Sequence, residues 1–316
     1  MKIANINYDY AHFRETFKNN IKNSLSYLIE CSGADLHIPE DFQLRWNICG
    51  AHYLAVCAAE KENRELCINY LKYASEQSRF HAKKNHEIEI TALDYHVQSE
   101  FDINIILTTL NGDDKGVKVG FQNSEDIIII EEKEKVSTAL NLLKKFDIDS
   151  YKECLAFIDT IYLTGSTEGY YIRSGCSFNL WGLVFLYAEP KNTIPYYIEH
   201  IVHECAHHTL NIINADDYIV ENDPNERFRA PFREDSRPMI GIFHAIFVLC
   251  RISQSLQKFV HYYDGEYNNE FAKRLTISIS KYHDTLSIVE NHAKLTSIGK
   301  GILDDIKNVM LGICKK

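Results

Sequence analysis

The sequence is poor in residues that interrupt or cross-link a chain. It contains six prolines among 316 residues, and no linker rich in proline, glycine or serine marks a domain boundary. No internal repeat or low-complexity tract is visible either. The nine cysteines include no paired CxxC spacing, and an odd number fits no closed disulfide framework, so reduced thiols are expected.

Positive charge and long apolar runs are also scarce. Lys and Arg total 34 against 44 Asp and Glu, and a net charge of −10 provides no basic field for wrapping nucleic acid. The start lacks the apolar core of a signal peptide, and the longest apolar run, near Met239–Ile252, is too short to span a bilayer. These absences predict a cytoplasmic protein with no nucleic-acid or membrane partner.

The composition is that of a folded globular protein. Hydrophobic residues make up 45% of the chain, and charged residues make up 25%. Helical periodicity over about 12–82 predicts a helical N-terminal region, 1–84. We assign 85–316 to an α+β catalytic region, with the alternative that the chain forms one compact unit.

Short apolar segments predict a small sheet between about 86 and 190. Alternating or β-branched runs predict strands, namely EIEITAL, NIILTTL, EDIIIIEE and WGLVFLYAEP. Between the last two, Lys133–Phe146 has the apolar spacing of a helix.

The last third predicts mainly helices. A helix follows Pro195, a polar loop covers Asn214–Ser236, and an apolar helix covers Arg237–Tyr263. Further helices are expected at 268–294 and 302–313. The predicted fold is α+β and mostly helical, with a small antiparallel or mixed sheet and a metal site between a zincin-like HExxH helix and the apolar helix after it.

The segment IVHECAHH contains an HExxH motif. On a helix, His203 and His207 lie one turn apart on the same face, so two imidazoles reach one ion. Imidazole nitrogen suits Zn or Fe(II), and Glu204 is placed to face a metal-bound water. A helix that merely contains two histidines is the structural alternative.

An enzymatic site needs a third metal ligand from elsewhere in the chain. The apolar helix offers His244 within GIFHAIF, and a lone polar residue in so apolar a stretch needs a partner. Glu234 and Asp235 are competing donors, because two histidines and one carboxylate are a common non-haem iron set.

The segment NERFRAPFREDSRP lies between the two helices. It carries four arginines, a density that indicates carboxylate recognition through guanidinium forks: Arg227, Arg229, Arg233 and Arg237. A solvated loop in which these arginines pair with neighbouring acids is the alternative.

These segments together resemble a known family. IEHIVHECAHH followed by RFRAPFREDSRPMIGIFHAIFVLCRI resembles the HExxH-motif peptide β-hydroxylases that depend on iron and 2-oxoglutarate and modify ribosomally made peptides. The upstream SGCSFNLWGLVFLY is also similar, so the resemblance covers roughly Ser174–Arg251. Ser236 departs from the proline that family members commonly carry.

The resemblance implies hydroxylation of a β-carbon in a precursor peptide, with Fe(II), O₂ and 2-oxoglutarate as co-substrate. His203, His207 and His244 would ligate the iron, which leaves three of six octahedral positions for the keto acid and O₂. Arg237 or Arg233 would hold the distal carboxylate of 2-oxoglutarate. Glu204 would orient a ligand or a bound water.

Two other functions fit the same residues. In a zinc metallopeptidase His203 and His207 bind Zn and Glu204 is the general base. HExxH peptidases usually take a glutamate as third ligand, and the apolar helix offers none. In a non-catalytic protein the ion would only join two helices, with Cys205 or Cys250 completing a closed four-ligand shell.

Overall fold

The structure is a computed structural model that describes residues 2–79, 87–94, 97–112, 120, 126–165, 174–231 and 236–315. The chain divides into two compact units, each built from separate segments. The HExxH unit comprises Met1–Tyr10, Lys135–Cys154 and Thr193–Lys316, and the sheet unit comprises Ala11–Glu134 and Leu155–Asn192. The predicted boundary between 84 and 85 lies outside the described residues.

The sheet unit contains a small mixed sheet. Its strands are β1 (Glu89–Ala92), β2 (Thr160–Thr164), β3 (Gly175–Cys176) and β4 (Leu183–Tyr187). Their order is β1-β2-β4-β3; β1 and β4 run parallel to β2, and β3 runs antiparallel to β4. The expected strands in EIEITAL and WGLVFLYAEP are confirmed.

Helices make up most of the remaining sheet unit. They are α1 (Tyr10–Ser32), α2 (Trp46–Glu60), α3 (Arg64–Gln77) and α4 (Glu100–Gly112). The expected helical region over about 12–82 is therefore confirmed for its described residues. The next helix, α5, covers Asp126–Phe146 and continues past the end of this unit.

Two predicted strands are wrong. NIILTTL lies in α4, where the Ser99 hydroxyl accepts from the Asp102 amide at 3.1 Å and caps the first turn. The described part of EDIIIIEE, 126–132, forms the start of α5, in which Val136, Ala139 and Leu143 are fully buried at helical spacing while Ile130 is exposed. In α4 the Ser99 cap outweighs the local β-propensity of the sequence. In α5 the apolar helical face that continues downstream outweighs it.

The HExxH unit is built from helices and one short hairpin. After α6 (Ile148–Phe157) come α7 (Ile194–Asp216), the paired strands β5 (Phe228–Arg229) and β6 (Ser236–Arg237), α8 (Met239–Tyr262), α9 (Asn268–His292) and α10 (Ser297–Cys314). The fold class, mostly helical α+β with a small mixed sheet, is confirmed, and so are the helices expected in this region.

The apolar helix α8 is the core of the HExxH unit and contacts α7, α9 and α10. With 24 residues it is long and apolar enough to cross a bilayer, in contrast to the expectation from the shorter run in the sequence. Within its most apolar stretch 67% of the residues are buried inside the protein, as in the core helix of a soluble domain. It is the single helix of this kind in the described parts of the chain.

Candidate metal centre

The helix α7 places the HExxH residues where the sequence predicts them. Thr193 caps its start by accepting a hydrogen bond from the Tyr196 amide at 3.3 Å, and Pro195 occupies the first turn. The motif therefore lies mid-helix, between well-buried turns that include Ile201 and Leu210. A helix held on both sides of the motif fixes the direction of its imidazoles.

The imidazoles of His203 and His207 converge. Their Nε2 atoms lie 3.2 Å apart, and their ring centroids lie 5.0 Å apart. Two nitrogens that ligate one ion at about 2.1 Å, at tetrahedral or octahedral angles, lie roughly 3.0–3.4 Å from each other. The observed spacing therefore allows both imidazoles to ligate one ion.

Glu204 completes a cluster of three donors. Its Oε1 atom lies 3.9 Å from Nε2 of His203, and the ligand atoms of His203, Glu204 and His207 all lie within 4.8 Å of one another. The Glu204 side chain is 4% exposed, whereas that of His203 is 39% exposed. The carboxylate side chain is thus buried, whereas the imidazole of His203 is partly open to solvent.

The surroundings keep the imidazoles neutral. Burial lowers the pKa of His203 well below its ordinary value, and nearby His207, His200 and Lys281 lower it further. Burial lowers the pKa of His207 to about 4. Neutral imidazole is the form that ligates a metal, so both rings are ready to bind at neutral pH.

His244 contacts His207 rather than the cluster. Its Nδ1 atom lies 3.1 Å from Nδ1 of His207, the nitrogen on the other side of that ring from the Nε2 that faces His203. The two rings are nearly parallel, with centroids 5.3 Å apart. In this arrangement His244 is placed to orient His207, and the three nitrogens of His203, His207 and His244 do not converge on one point.

The predicted arginine clamp and carboxylate donors are only partly described. Arg233, Glu234 and Asp235 lie outside the described residues. Arg237 lies in β6, in register with Phe228 of β5, two residues before α8 begins. Its guanidinium is therefore carried by the hairpin that precedes α8.

The two other histidines of α7 have separate environments. His200 stacks on Tyr196 with ring centroids 3.9 Å apart, and its Nδ1 lies 2.8 Å from the Tyr196 carbonyl oxygen. Its ring also lies parallel to that of His203, at 6.3 Å. His208 is completely buried. His200 therefore extends the imidazole row towards the start of α7, while His208 belongs to the core.

A polar network behind α7 was not anticipated. The buried guanidinium of Arg251 donates to both carboxylate oxygens of Glu153, at 2.8 and 2.9 Å, and Thr209 donates to the same carboxylate at 3.2 Å. The hydroxyl of Tyr8 also bonds Glu153. The sequence offers one indication of this network, namely Arg251. It is a charged residue in an apolar helix, and a buried charge requires a partner.

No family model matches the chain, and no curated protein matches it.

Proposed function

We propose that this protein is an Fe(II)- and 2-oxoglutarate-dependent dioxygenase that hydroxylates the β-carbon of a residue in a ribosomally made precursor peptide. One observation carries the metal dependence, namely the 3.2 Å approach of the His203 and His207 Nε2 atoms on one helical turn. The choice of reaction rests on the sequence resemblance over roughly Ser174–Arg251. The zincin-like character of the site is part of the same proposal.

The donor set suits Fe(II). Two neutral imidazoles on one face, with a carboxylate within 4.8 Å, match the nitrogen and oxygen ligands that this ion takes in non-haem sites. When bound, Fe(II) supplies the redox chemistry that couples oxidation of 2-oxoglutarate to succinate and CO₂ with insertion of one oxygen atom of O₂ into a C–H bond. The protein's own residues hold the ion and position both substrates.

Each residue of the cluster has a distinct task in this proposal. His203 and His207 hold the ion through Nε2, and His203 faces solvent, from which the substrates approach. Glu204 accepts a hydrogen bond beside the ion. His244 either orients His207 through Nδ1 or turns to become the third ligand. Arg237 or Arg233 binds the distal carboxylate of 2-oxoglutarate.

A zinc metallopeptidase is the second candidate, and Glu204 is the observation that favours it. A buried carboxylate 3.9 Å from a ligating nitrogen is placed as a general base would be. However, α8 contains neither aspartate nor glutamate from Met239 to Tyr262, so it supplies no third carboxylate ligand. This composition favours the dioxygenase.

An anaerobic titration tests the proposal. Apo-protein receives Fe(II) and then 2-oxoglutarate while the visible spectrum is followed for the weak charge-transfer band of the chelate. We expect one equivalent of each to saturate the band in the wild type, and no band in His203→Ala or His207→Ala. Absence of the band in the wild type, together with stoichiometric Zn binding and peptide cleavage, would establish the peptidase instead.

A further inference from the structure

A second feature of the HExxH unit is a cavity of about 580 Å³ between the β5 segment and α9. Phe228 and Arg229 line one wall, and Asp284, Ile288 and His292 line the other. Its volume lies within the range of about 300–1,000 Å³ that is usual for ligand sites. None of these residues belongs to the metal cluster.

The helix α9, which lines the cavity, also bonds the helix that carries the metal cluster. Arg274 of α9 bonds Glu199 of α7 at 2.7 Å, and Lys281, two turns further along α9, acts electrostatically on His203. Asp284 and Ile288 follow Lys281 by three and seven residues, so they lie on the same stripe of the helix. Asp284 therefore lies about one helical turn beyond Lys281, the residue of α9 whose charge acts on His203.

The α9 wall of the cavity has the length of a short extended peptide. From Asp284 to His292 the helix rises about 12 Å, at 1.5 Å per residue. An extended peptide covers roughly 3.3–3.6 Å per residue, so about four residues span this wall. Phe228 packs on His292 at its far end, with ring centroids 5.4 Å apart.

The two charges in the cavity have opposite signs and no partner among the described residues. Arg229 and Asp284 are both exposed, and neither forms an ion pair or hydrogen bond within that part of the chain. Guanidinium binds carboxylate bidentately, and a carboxylate binds ammonium or guanidinium. Apolar Phe228 and Ile288 also line the cavity. A ligand that satisfies this lining carries both charges and an apolar portion.

We propose that this cavity is the substrate groove of the metal centre, and that it binds an extended peptide segment with an acidic residue on Arg229 and a basic residue on Asp284. The proposal rests on the function proposed above and adds the recognition chemistry of the substrate. The peptide runs along α9 from His292 towards Lys281, so that the residue beyond the Asp284 contact reaches the ion.

Peptide selection tests the groove. A phage-displayed library of random 12-residue peptides is panned against the immobilised full chain, and the enriched sequences are synthesised with a fluorescein label for anisotropy titration. We expect enriched peptides to carry an acidic and a basic residue a few positions apart. Arg229→Glu and Asp284→Lys should each weaken binding at least tenfold, and reversing the matching peptide charge should restore it.

Two surface variants are matched controls for the charge changes, because they alter exposed residues outside the cavity. Lys273→Glu in α9 and Asp304→Lys in α10 should bind the same peptides with unchanged affinity. The groove proposal would be overturned if no peptide is enriched. It would also be overturned if the two cavity variants and the two controls bind the peptides with equal affinity.

The proposed metal site and the proposed groove can be refuted independently. His203→Ala should lose Fe(II) and keep the peptide affinity within a factor of about two. If the wild type enriches peptides but shows no charge-transfer band with 2-oxoglutarate, the groove is supported and the dioxygenase is rejected. If it shows the band but enriches no peptide, the dioxygenase is supported and the groove is rejected.

Discussion

Arg251 and Glu153 form a buried, two-hydrogen-bond ion pair on the side of α7 opposite the imidazoles. Thr209, which joins the pair at 3.2 Å, lies on the far helical face from His203 and His207. Both charged side chains are at most 4% exposed. The pair therefore joins α7 to α8 and α6 on one side of α7, while the opposite face of α7 carries His203 and His207.

Breaking this pair should destabilise the HExxH unit strongly. Arg251→Met leaves the Glu153 carboxylate buried without its cation, and such changes cost about 3–5 kcal/mol. Urea unfolding followed by circular dichroism measures the loss. The double variant Glu153→Leu/Arg251→Met should recover most of it, because no isolated charge remains.

An exposed ion pair provides the comparison. Lys307 and Glu290 are 2.6 Å apart but 41% and 45% exposed, so Lys307→Ala should change the free energy of unfolding by less than about 1 kcal/mol. A loss in Arg251→Met no larger than that in Lys307→Ala would contradict a structural role for the buried pair.

Removing either cluster histidine should abolish metal binding. His203→Ala or His207→Ala leaves a single imidazole beside Glu204, too few donors to hold Fe(II) or Zn at micromolar concentration. Elemental analysis after reconstitution and desalting measures the stoichiometry. His261→Ala is the matched control, since His261 is exposed in the last turn of α8. Full metal content in His203→Ala would reject the site.

His244→Ala should separate the two roles open to His244. If His244 orients His207 through the 3.1 Å contact between Nδ1 atoms, the variant keeps a stoichiometric site with affinity lowered about 10–100-fold. If His244 is itself a ligand, stoichiometric binding is lost. Competition with a chromophoric chelator distinguishes these results, and the geometry leads us to expect the first.

His52 should make the sheet unit sensitive to acid. Its Nε2 lies 2.7 Å from the Ser24 hydroxyl oxygen, and burial lowers its pKa to about 4. The unfolded chain takes up this proton below about pH 6.5 whereas the folded chain does not, so stability is lost as the pH falls from 6.5 to 4.

The matching variant is His52→Gln, which keeps a hydrogen-bonding side chain that does not titrate. Between pH 7 and pH 5 the wild type should lose up to about 2 kcal/mol more than His52→Gln. Urea midpoints at the two pH values measure this difference. Other buried histidines are common to both proteins, so equal pH dependence would show that His52 titrates normally in the fold.

The local parts of this protein were readable from its sequence. The Thr193 cap, Pro195 and the apolar spacing of α7 predicted where the motif lies, because these signals act within a few residues. The isoleucine-rich segments of α4 and α5 were wrongly predicted as strands, because buried strands and buried helices share that composition. The contact between Nδ1 of His207 and Nδ1 of His244 depends on how α8 packs against α7. No local sequence pattern encodes that packing.

The segmented make-up of the HExxH unit has a consequence for its biosynthesis. Tyr8 bonds Glu153 beside Thr209, so about 200 residues must be translated after Tyr8 before Thr209 exists. At about 5–20 residues per second, the ribosome needs roughly 10–40 s for that stretch. The segment around Tyr8 therefore lacks its full set of partners in α6 and α7 during that time.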